Sequence, residues 1–169
     1  MLFRSGLINA LHNGHDILVI VLDNKTTAMT GHQPHPGVEQ SRHGPNPRRV
    51  DIEQVVKGCG VDQVQKIKPL NLKKTLETLE AFKKLSGVRV IIAEEPCVLF
   101  AQRTLQSRKG ICAYVAEQTP EVRTCLEELA CPAFFVQDQS VQIDESLCTG
   151  CMFCVQICPS IKTRKRSAS

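Results

Sequence analysis

The residues with the most informative spacing are four cysteines near the carboxyl end of the sequence, in the segment CTGCMFCVQICP. They are Cys148, Cys151, Cys154 and Cys158, and they follow the pattern C-x2-C-x2-C-x3-C-P. Thiolates three residues apart on a curved loop can each bind a different iron of a cubane, so the spacing predicts a 4Fe-4S cluster. A zinc site and incidental buried thiols are the alternatives, but zinc sites usually pair two C-x2-C units across a longer gap.

A second, incomplete cysteine run lies upstream, in RTCLEELACPAF. Cys125 and Cys131 occupy its third and fourth positions, whereas Val122 and Thr119 stand where the first two cysteines would be. In two-cluster ferredoxins the fourth cysteine of each run binds the other cluster. By that rule Cys131 completes the downstream site, and a second cluster would lack two ligands; the alternative is that Cys158 completes its own run. We predict one cluster.

Composition excludes several classes of protein. The 169 residues include nine cysteines but only 4% aromatic residues, and the net charge is +4, which argues against a dedicated nucleic-acid binder. No apolar stretch reaches the roughly 18 residues of a membrane span, and no signal peptide is evident. We therefore expect a cytoplasmic protein, in which clustered cysteines bind metal or do redox chemistry. Cys59, Cys97 and Cys112 have no partner spacing and are interpreted as small core residues.

A second candidate site is the polar segment LDNKTTAMTGHQPHPG, which follows the apolar run ILVIVL. Ligands of open α/β sheets bind at the carboxyl ends of parallel strands, where this segment begins. Its side chains offer hard oxygens, which suit Mg²⁺ and phosphate, and two histidines that could bind an anion or relay protons. The residues concerned are Asn24, Thr26, Thr27, Thr30, His32 and His35. On composition alone, an ordinary polar loop is the alternative.

Alternating strands and helices must position this loop. The run at 17–22 has no polar alternation and predicts a strand buried on both faces, as in a parallel sheet. Further strands are predicted at 64–67 and 88–93, and helices at 5–13, after Asp51, and at 71–85. This order indicates right-handed βαβ units. We predict a parallel-sheet α/β domain over 1–110, ending in a linker at 94–110, and a small ferredoxin-like α+β module over 111–169.

The polar segment resembles the thiamine diphosphate-binding segment of the indolepyruvate:ferredoxin oxidoreductase alpha-subunit family. The resemblance extends over nearly the whole chain, including EEPCVLF and the cysteine-rich tail. It implies that Asp23 and Asn24 form the Asp-Asn pair that closes the family's thiamine signature, and that Asn24 and the Thr26 carbonyl bind Mg²⁺. The other cofactor-binding residues that it implies are Thr27, Met29, Thr30 and Gly31. It also implies that His32 and His35 are catalytic.

The resemblance also implies an activity. The family oxidatively decarboxylates aryl 2-oxo acids such as indolepyruvate to acyl-coenzyme A, together with a beta subunit, and passes the electrons to an external ferredoxin. The Gly-Asp opening of the thiamine signature does not occur in this sequence, which matches the carboxyl-terminal part of the family. We therefore expect the chain to be inactive by itself. The rival hypothesis is a non-catalytic electron-transfer or subunit-docking module with a vestigial thiamine domain. The basic tail KTRKR is either a solvated end or a patch for an acidic ferredoxin.

Overall fold

A computed structural model describes residues 2–104 and 110–166, and the side chains of 5–101 and 110–166. The chain divides into two compact units, Met1–Phe100 and Ala101–Ser169. Residues 105–109 of the predicted linker lie outside the described part of the chain, and a helix, α4 (Val98–Thr104), occupies another part of it. Within the described residues, no helix is long and apolar enough to cross a membrane.

The first unit is an α/β unit built on a three-stranded parallel sheet. Its elements are α1 (Leu2–His12), β1 (Ile17–Asp23), a 3₁₀ turn (Ala28–Thr30), β2 (Gln40–Ser41), β3 (Gly44–Pro45), α2 (Ile52–Gly58), β4 (Gln63–Ile67), α3 (Leu72–Lys83) and β5 (Val88–Glu94). The strand order is β1-β5-β4, and both pairings are parallel. The predicted strands and their parallel pairing are confirmed, and the carboxyl ends of β1 and β5 meet at Asp23 and Glu94.

The helices begin where side chains satisfy free backbone N–H groups. The Asp51 carboxylate accepts hydrogen bonds from the amides of Glu53, at 2.8 Å, and Gln54, at 3.3 Å, which caps α2 as predicted. Asn71 caps α3 by accepting from the Lys74 amide. Helices α1 and α2 contribute to a core that also contains Val88, Val90 and Ile92 of β5, side chains that share one face of the sheet.

The prediction that β1 is buried on both faces is wrong. Val19 and Val21 pack against the core, whereas Ile20 is 48% and Leu22 is 77% exposed. β1 is an edge strand, and α3 lies on the β4–β5 side of the other face, where Gln65 donates a hydrogen bond to Thr78. β5, the central strand, is the one that is buried on both faces.

The predicted apolar face of α3 is only partly buried. Phe82 and Thr78 are buried, but Leu76 and Leu85 are exposed. The helix covers a sheet of three strands, which is too narrow to shield the full apolar stripe of the sequence. The apolar pattern of residues 71–85 therefore predicted the helix correctly, but it overstated how much of the helix is buried.

The second unit is a small α+β unit with two antiparallel sheets of two strands each. Its elements are β6 (Ile111–Val115), α5 (Pro120–Leu129), β7 (Phe134–Gln137), β8 (Ser140–Ile143), α6 (Phe153–Ile157) and β9 (Ile161–Lys165). β6 pairs with β9 and β7 pairs with β8. The core contains cysteines beside apolar side chains, among them Cys125, Cys154, Cys158, Val122 and Ile161. The predicted fold class, a parallel-sheet α/β unit followed by a small α+β unit, is confirmed.

Candidate functional site

The loop that follows β1 begins at a charged cluster on the sheet edge. The Asp23 carboxylate is buried, and the Lys25 ammonium lies 2.6 Å from it and 3.1 Å from the Glu94 carboxylate. Lys68 adds a contact of 3.4 Å to Glu94. Burial alone would raise the pKa of Glu94, but the hydrogen bonds and charges of Lys25 and Lys68 outweigh it and lower that pKa. The Glu94 carboxylate is therefore held in its ionised form, and Lys25 joins the carboxyl ends of β1 and β5.

Asn24 is held by the chain segment that leaves β5. Its carbonyl accepts a hydrogen bond from the Cys97 amide at 2.9 Å, and the Asp23 carbonyl accepts from the Glu95 amide at 3.1 Å. The Asn24 Oδ1 accepts from the Thr26 amide at 3.2 Å, which forms an Asx-type turn. An amide oxygen has a second lone pair, so Oδ1 can still bind a cation. The backbone contacts thus hold Asn24 in place and leave one lone pair of its Oδ1 for a ligand.

The rest of the loop closes on itself through Gln33. The Thr27 amide donates to the Gln33 carbonyl at 2.9 Å, and the His32 amide donates to the Thr27 carbonyl at 3.1 Å. Thr30 Oγ1 donates to Gln33 Oε1 at 2.6 Å, and Gly31 makes the turn with φ of 106°. That φ lies in the left-handed region, which glycine adopts at little cost. The segment is therefore an ordered loop.

The predicted cofactor-binding residues divide between buried and exposed positions. The Thr26 side chain is buried, and its carbonyl accepts no hydrogen bond from the described residues. Met29 is fully exposed at the top of the 3₁₀ turn. Thr27 lies at the base of that turn and Thr30 at its end. Thr26 is thus buried, whereas Thr27, Met29 and Thr30 are exposed to solvent.

The two predicted catalytic histidines differ in environment. The His32 ring stacks on Phe100, with centroids 6.1 Å apart, and its Nδ1 is buried without a hydrogen-bond partner among the described residues. His35 Nδ1 accepts a hydrogen bond from the Gly37 amide at 3.1 Å, so its Nε2 carries the proton in the neutral ring. No hydrogen bond joins either ring to Asn24 within the described residues.

The oxygen donors of this loop fit part of a Mg²⁺ site. Asn24 Oδ1 and the Thr26 carbonyl are hard neutral oxygens, but the Asp23 carboxylate is paired with Lys25. Mg²⁺ keeps several waters and commonly takes its remaining ligands from substrate phosphates. The donor set therefore fits a cation that is bound jointly with a diphosphate, and it would hold a free cation weakly.

The cysteine centre occupies the second unit. The pKa of Cys154 is raised to about 12, first by burial and then by the neighbouring thiols of Cys151, Cys148 and Cys131. Such an effect requires the other three sulfur atoms to lie near that of Cys154. The Ala113 amide donates to the Cys148 Sγ at 3.5 Å, a type of contact that influences cluster potentials. The structure thus brings three cysteines of the downstream run together with Cys131.

The two remaining predicted ligands, Cys125 and Cys158, lie next to each other in the same core as Cys154. Burial raises the pKa of Cys125, and the charge of Cys158 and a hydrogen bond to it raise that pKa further. Val122, at one of the missing ligand positions, is fully buried. At the other position, the Thr119 hydroxyl donates a hydrogen bond to the Ser160 hydroxyl at 3.2 Å. The space beside this pair is therefore filled by packed side chains.

The thiols are the candidate ligands of a metal centre, and the cysteine spacing is what favours a cluster over zinc. In the described residues, no three His, Cys, Asp or Glu side chains are grouped to hold one metal ion. Each cysteine of a cubane site binds a different iron, so its sulfur atoms stand farther apart than the ligands of one zinc ion.

Sequence reasoning missed Lys25 and Glu94 at the loop. Both residues stand next to the predicted motifs, and the parallel register pairs Asp23 with Glu94. The signal that could have found them is the coincidence of charged residues at the carboxyl ends of two predicted neighbouring strands.

Comparisons with known proteins match a family model to a segment of each unit. Residues 1–93 match the family described as "Thiamine pyrophosphate enzyme, C-terminal TPP binding domain", and residues 141–160 match the "4Fe-4S binding domain" family. No solved structure matches the chain.

Several curated proteins named "Indolepyruvate oxidoreductase subunit IorA" are similar to it. The protein of Archaeoglobus fulgidus is 41% identical over 155 residues, which are 91% of this chain and 25% of that protein. The protein of Methanothermobacter thermautotrophicus is 39% identical over 91% of this chain and 24% of its own length. The protein of Thermococcus kodakarensis is 35% identical over 90% and 24%, respectively. The chain spans about a quarter of the length of these relatives.

Proposed function

The chain belongs to the family of indolepyruvate oxidoreductase IorA subunits, and from this premise we propose that it forms a cofactor loop and an electron-exit centre of a 2-oxoacid:ferredoxin oxidoreductase. The substrate is an aryl 2-oxo acid such as indolepyruvate, and coenzyme A receives the acyl group. The partners are a beta subunit and an external ferredoxin, in the cytoplasm. The observation that carries the proposal is the presence, in one chain, of an ordered loop at a parallel-sheet edge and a group of four thiols.

Thiamine diphosphate, when bound, supplies the electron sink for decarboxylation of the 2-oxo acid. On the protein side, Asn24 Oδ1 and the Thr26 carbonyl hold the Mg²⁺ that accompanies the diphosphate. The Thr27 and Thr30 hydroxyls bind phosphate oxygens, and the Gly31 turn lets the backbone approach the cofactor. Support for these roles comes from the hydrogen bond between the Asn24 carbonyl and the Cys97 amide, which holds the loop at the edge of the sheet.

Three side chains of the loop complete the proposed site. Met29 is fully exposed, and it would exclude water on the thiazolium side of a bound cofactor. His35 holds a proton on Nε2, because its Nδ1 accepts the Gly37 amide. His32 offers a buried, unpartnered Nδ1 and is held in place by the Phe100 ring. Each histidine can therefore move a proton at a defined atom.

The electron-exit centre is one 4Fe-4S cluster held by Cys131, Cys148, Cys151 and Cys154. A cubane cluster carries one electron at a time, which suits delivery to a ferredoxin. Support comes from the effect of the Cys151, Cys148 and Cys131 thiols on the pKa of Cys154, and from the hydrogen bond between Cys125 and Cys158. The apolar packing of Val122 beside that pair argues against a second cluster.

A second candidate function is favoured by one observation. The Asp23 carboxylate is bound to Lys25, which leaves the loop with neutral oxygens as cation ligands. In that case the chain is an electron-transfer or subunit-docking module whose thiamine unit is vestigial. Both hypotheses predict that the 169-residue chain alone oxidises no 2-oxo acid. Under the first, the Gly-Asp opening of the thiamine signature does not occur in this sequence and Mg²⁺ is held weakly; under the second, the thiamine unit is vestigial.

Calorimetric titration of thiamine diphosphate into the chain, with and without Mg²⁺, distinguishes the two functions. The proposed function predicts weak binding that requires Mg²⁺ and that Asn24→Ala weakens by about tenfold or more. Asn13→Ala is the matched control, since it removes the same side chain from an exposed position at the end of α1. Mg²⁺-dependent binding that Asn24→Ala leaves unchanged would refute the assignment of Asn24. Absence of any Mg²⁺-dependent binding, in a chain that still assembles a cluster, would favour the docking module.

A further inference from the structure

The side chain of Arg166 binds the cysteine loop at its first cysteine. Arg166 follows β9 directly, and its amide donates to the Gly110 carbonyl at 3.1 Å, which continues the β6–β9 ladder. Its guanidinium donates to two backbone carbonyls, that of Glu145 at 2.6 Å and that of Cys148. A planar guanidinium that binds two acceptors at once is held in a fixed orientation. Arg166 therefore places a positive charge beside the backbone of Cys148.

The same cysteine is held from a second direction by the neighbouring strand. The Ala113 amide of β6 donates to the Cys148 Sγ, and β6 pairs with β9 so that Ala113 lies opposite Thr163. A backbone amide of β6 thus binds the sulfur of Cys148, and the side chain of the residue after β9 binds its carbonyl. Neither contact depends on sequence proximity, because both link the cysteine loop to strands distant from it in the chain.

A positive charge and a hydrogen-bonded carbonyl next to a cluster favour the form with more negative charge. Reduction adds one electron, so it is favoured when such groups are present, and cluster potentials respond to charge, hydrogen bonding and solvent exposure. Arginine keeps its charge throughout the accessible pH range. We propose that Arg166 is a positioning residue that raises the reduction potential of the 4Fe-4S cluster by holding the Cys148 carbonyl. This inference rests on the proposed function, since it requires the cluster assigned there.

Two neighbouring basic residues differ from Arg166 in their contacts. Arg164 lies 3.3 Å from the Glu145 carboxylate and stacks over the Tyr114 ring at 5.4 Å, so it is engaged with a carboxylate and an aromatic ring. Lys165 is exposed and, being one residue away on a strand, points to the opposite face from Arg164. Lys165→Gln therefore removes one positive charge next to Arg166 without removing a bond to the cysteine loop.

The test is a spectroscopic redox titration of the full chain after anaerobic cluster reconstitution, with iron content measured on each sample. Arg166→Gln is expected to shift the one-electron equilibrium about tenfold towards the oxidised cluster, or about 59 mV to more negative potential. Lys165→Gln is expected to leave the potential near that of the parent chain. An unchanged potential in Arg166→Gln, or equal shifts in both variants, would overturn the proposal while leaving the cluster assignment intact.

If Arg166→Gln assembles no cluster, Arg166→Lys carries the test. A lysine keeps the charge but cannot bind two carbonyls in a fixed fork, so a smaller shift in the same direction supports the proposal. A potential equal to that of the parent would overturn it. Failure of the parent chain itself to assemble a cluster would overturn both the proposed function and this inference.

Discussion

At the scale of single residues, the choice of the fourth cluster ligand depends on contacts that the sequence only partly predicts. The spacing of Cys148, Cys151 and Cys154 predicts three ligands, because neighbours in sequence are neighbours in a loop. For the fourth, the ferredoxin rule favours Cys131, with Cys158 as the alternative. In the structure, the Cys131 thiol raises the pKa of Cys154, whereas the Cys158 thiol raises the pKa of Cys125. Helices α5 and α6, which carry Cys125 and Cys154, contact each other, and no local pattern encodes that contact.

Replacement of single cysteines tests this ligand set. Cys131→Ser should lose the cluster, because the four-sulfur site then lacks one thiolate, whereas Cys158→Ser should largely retain it. Iron content and the visible thiolate-to-iron absorption of the reconstituted variants measure the difference. The two variants control for each other, since each removes one thiol of the same unit. Loss of the cluster in Cys158→Ser and its retention in Cys131→Ser would show that the downstream run binds the cluster locally.

At the scale of elements, apolar runs predicted which strands form but not how deeply they are buried. The run at 17–22 is entirely apolar and the run at 88–93 contains Arg89, yet the first is an edge strand and the second is central. Burial depends on what covers each face, and α3 covers β4 and β5 and leaves Ile20 and Leu22 exposed. The strand order is a long-range property, so a window of residues cannot supply it.

Two register partners on the same face of the sheet test this difference. Ile20 lies opposite Ile91, and they are 48% and 0% exposed. Ile91→Ala should lower the free energy of unfolding of the first unit by about 2–5 kcal/mol, because it removes buried methyl groups and leaves a cavity. Ile20→Ala, the matched control, should cost less than about 1 kcal/mol. Urea unfolding measures both values, and a similar cost in the two variants would contradict the assignment of β1 as a half-exposed edge.

At the scale of the whole molecule, the sequence predicted both cofactor classes because each is specified by a short motif. The contacts that support the motifs were not predictable in the same way. Lys25 joins Asp23 to Glu94, and Arg166 joins β9 to Cys148, through residues that are far apart in the chain. Short motifs therefore identify the cofactor classes, whereas contacts between distant parts of the chain hold those motifs in place.

The iron content of the chain after anaerobic reconstitution tests the central claim most directly. One complete set of four thiols, with apolar packing beside the remaining pair, predicts about four irons per chain and the absorption of a single 4Fe-4S cluster. About eight irons per chain would show that a second cluster forms with substitute ligands. Tight binding of one zinc ion, with no iron retained, would contradict the assignment of this unit as an electron-transfer centre.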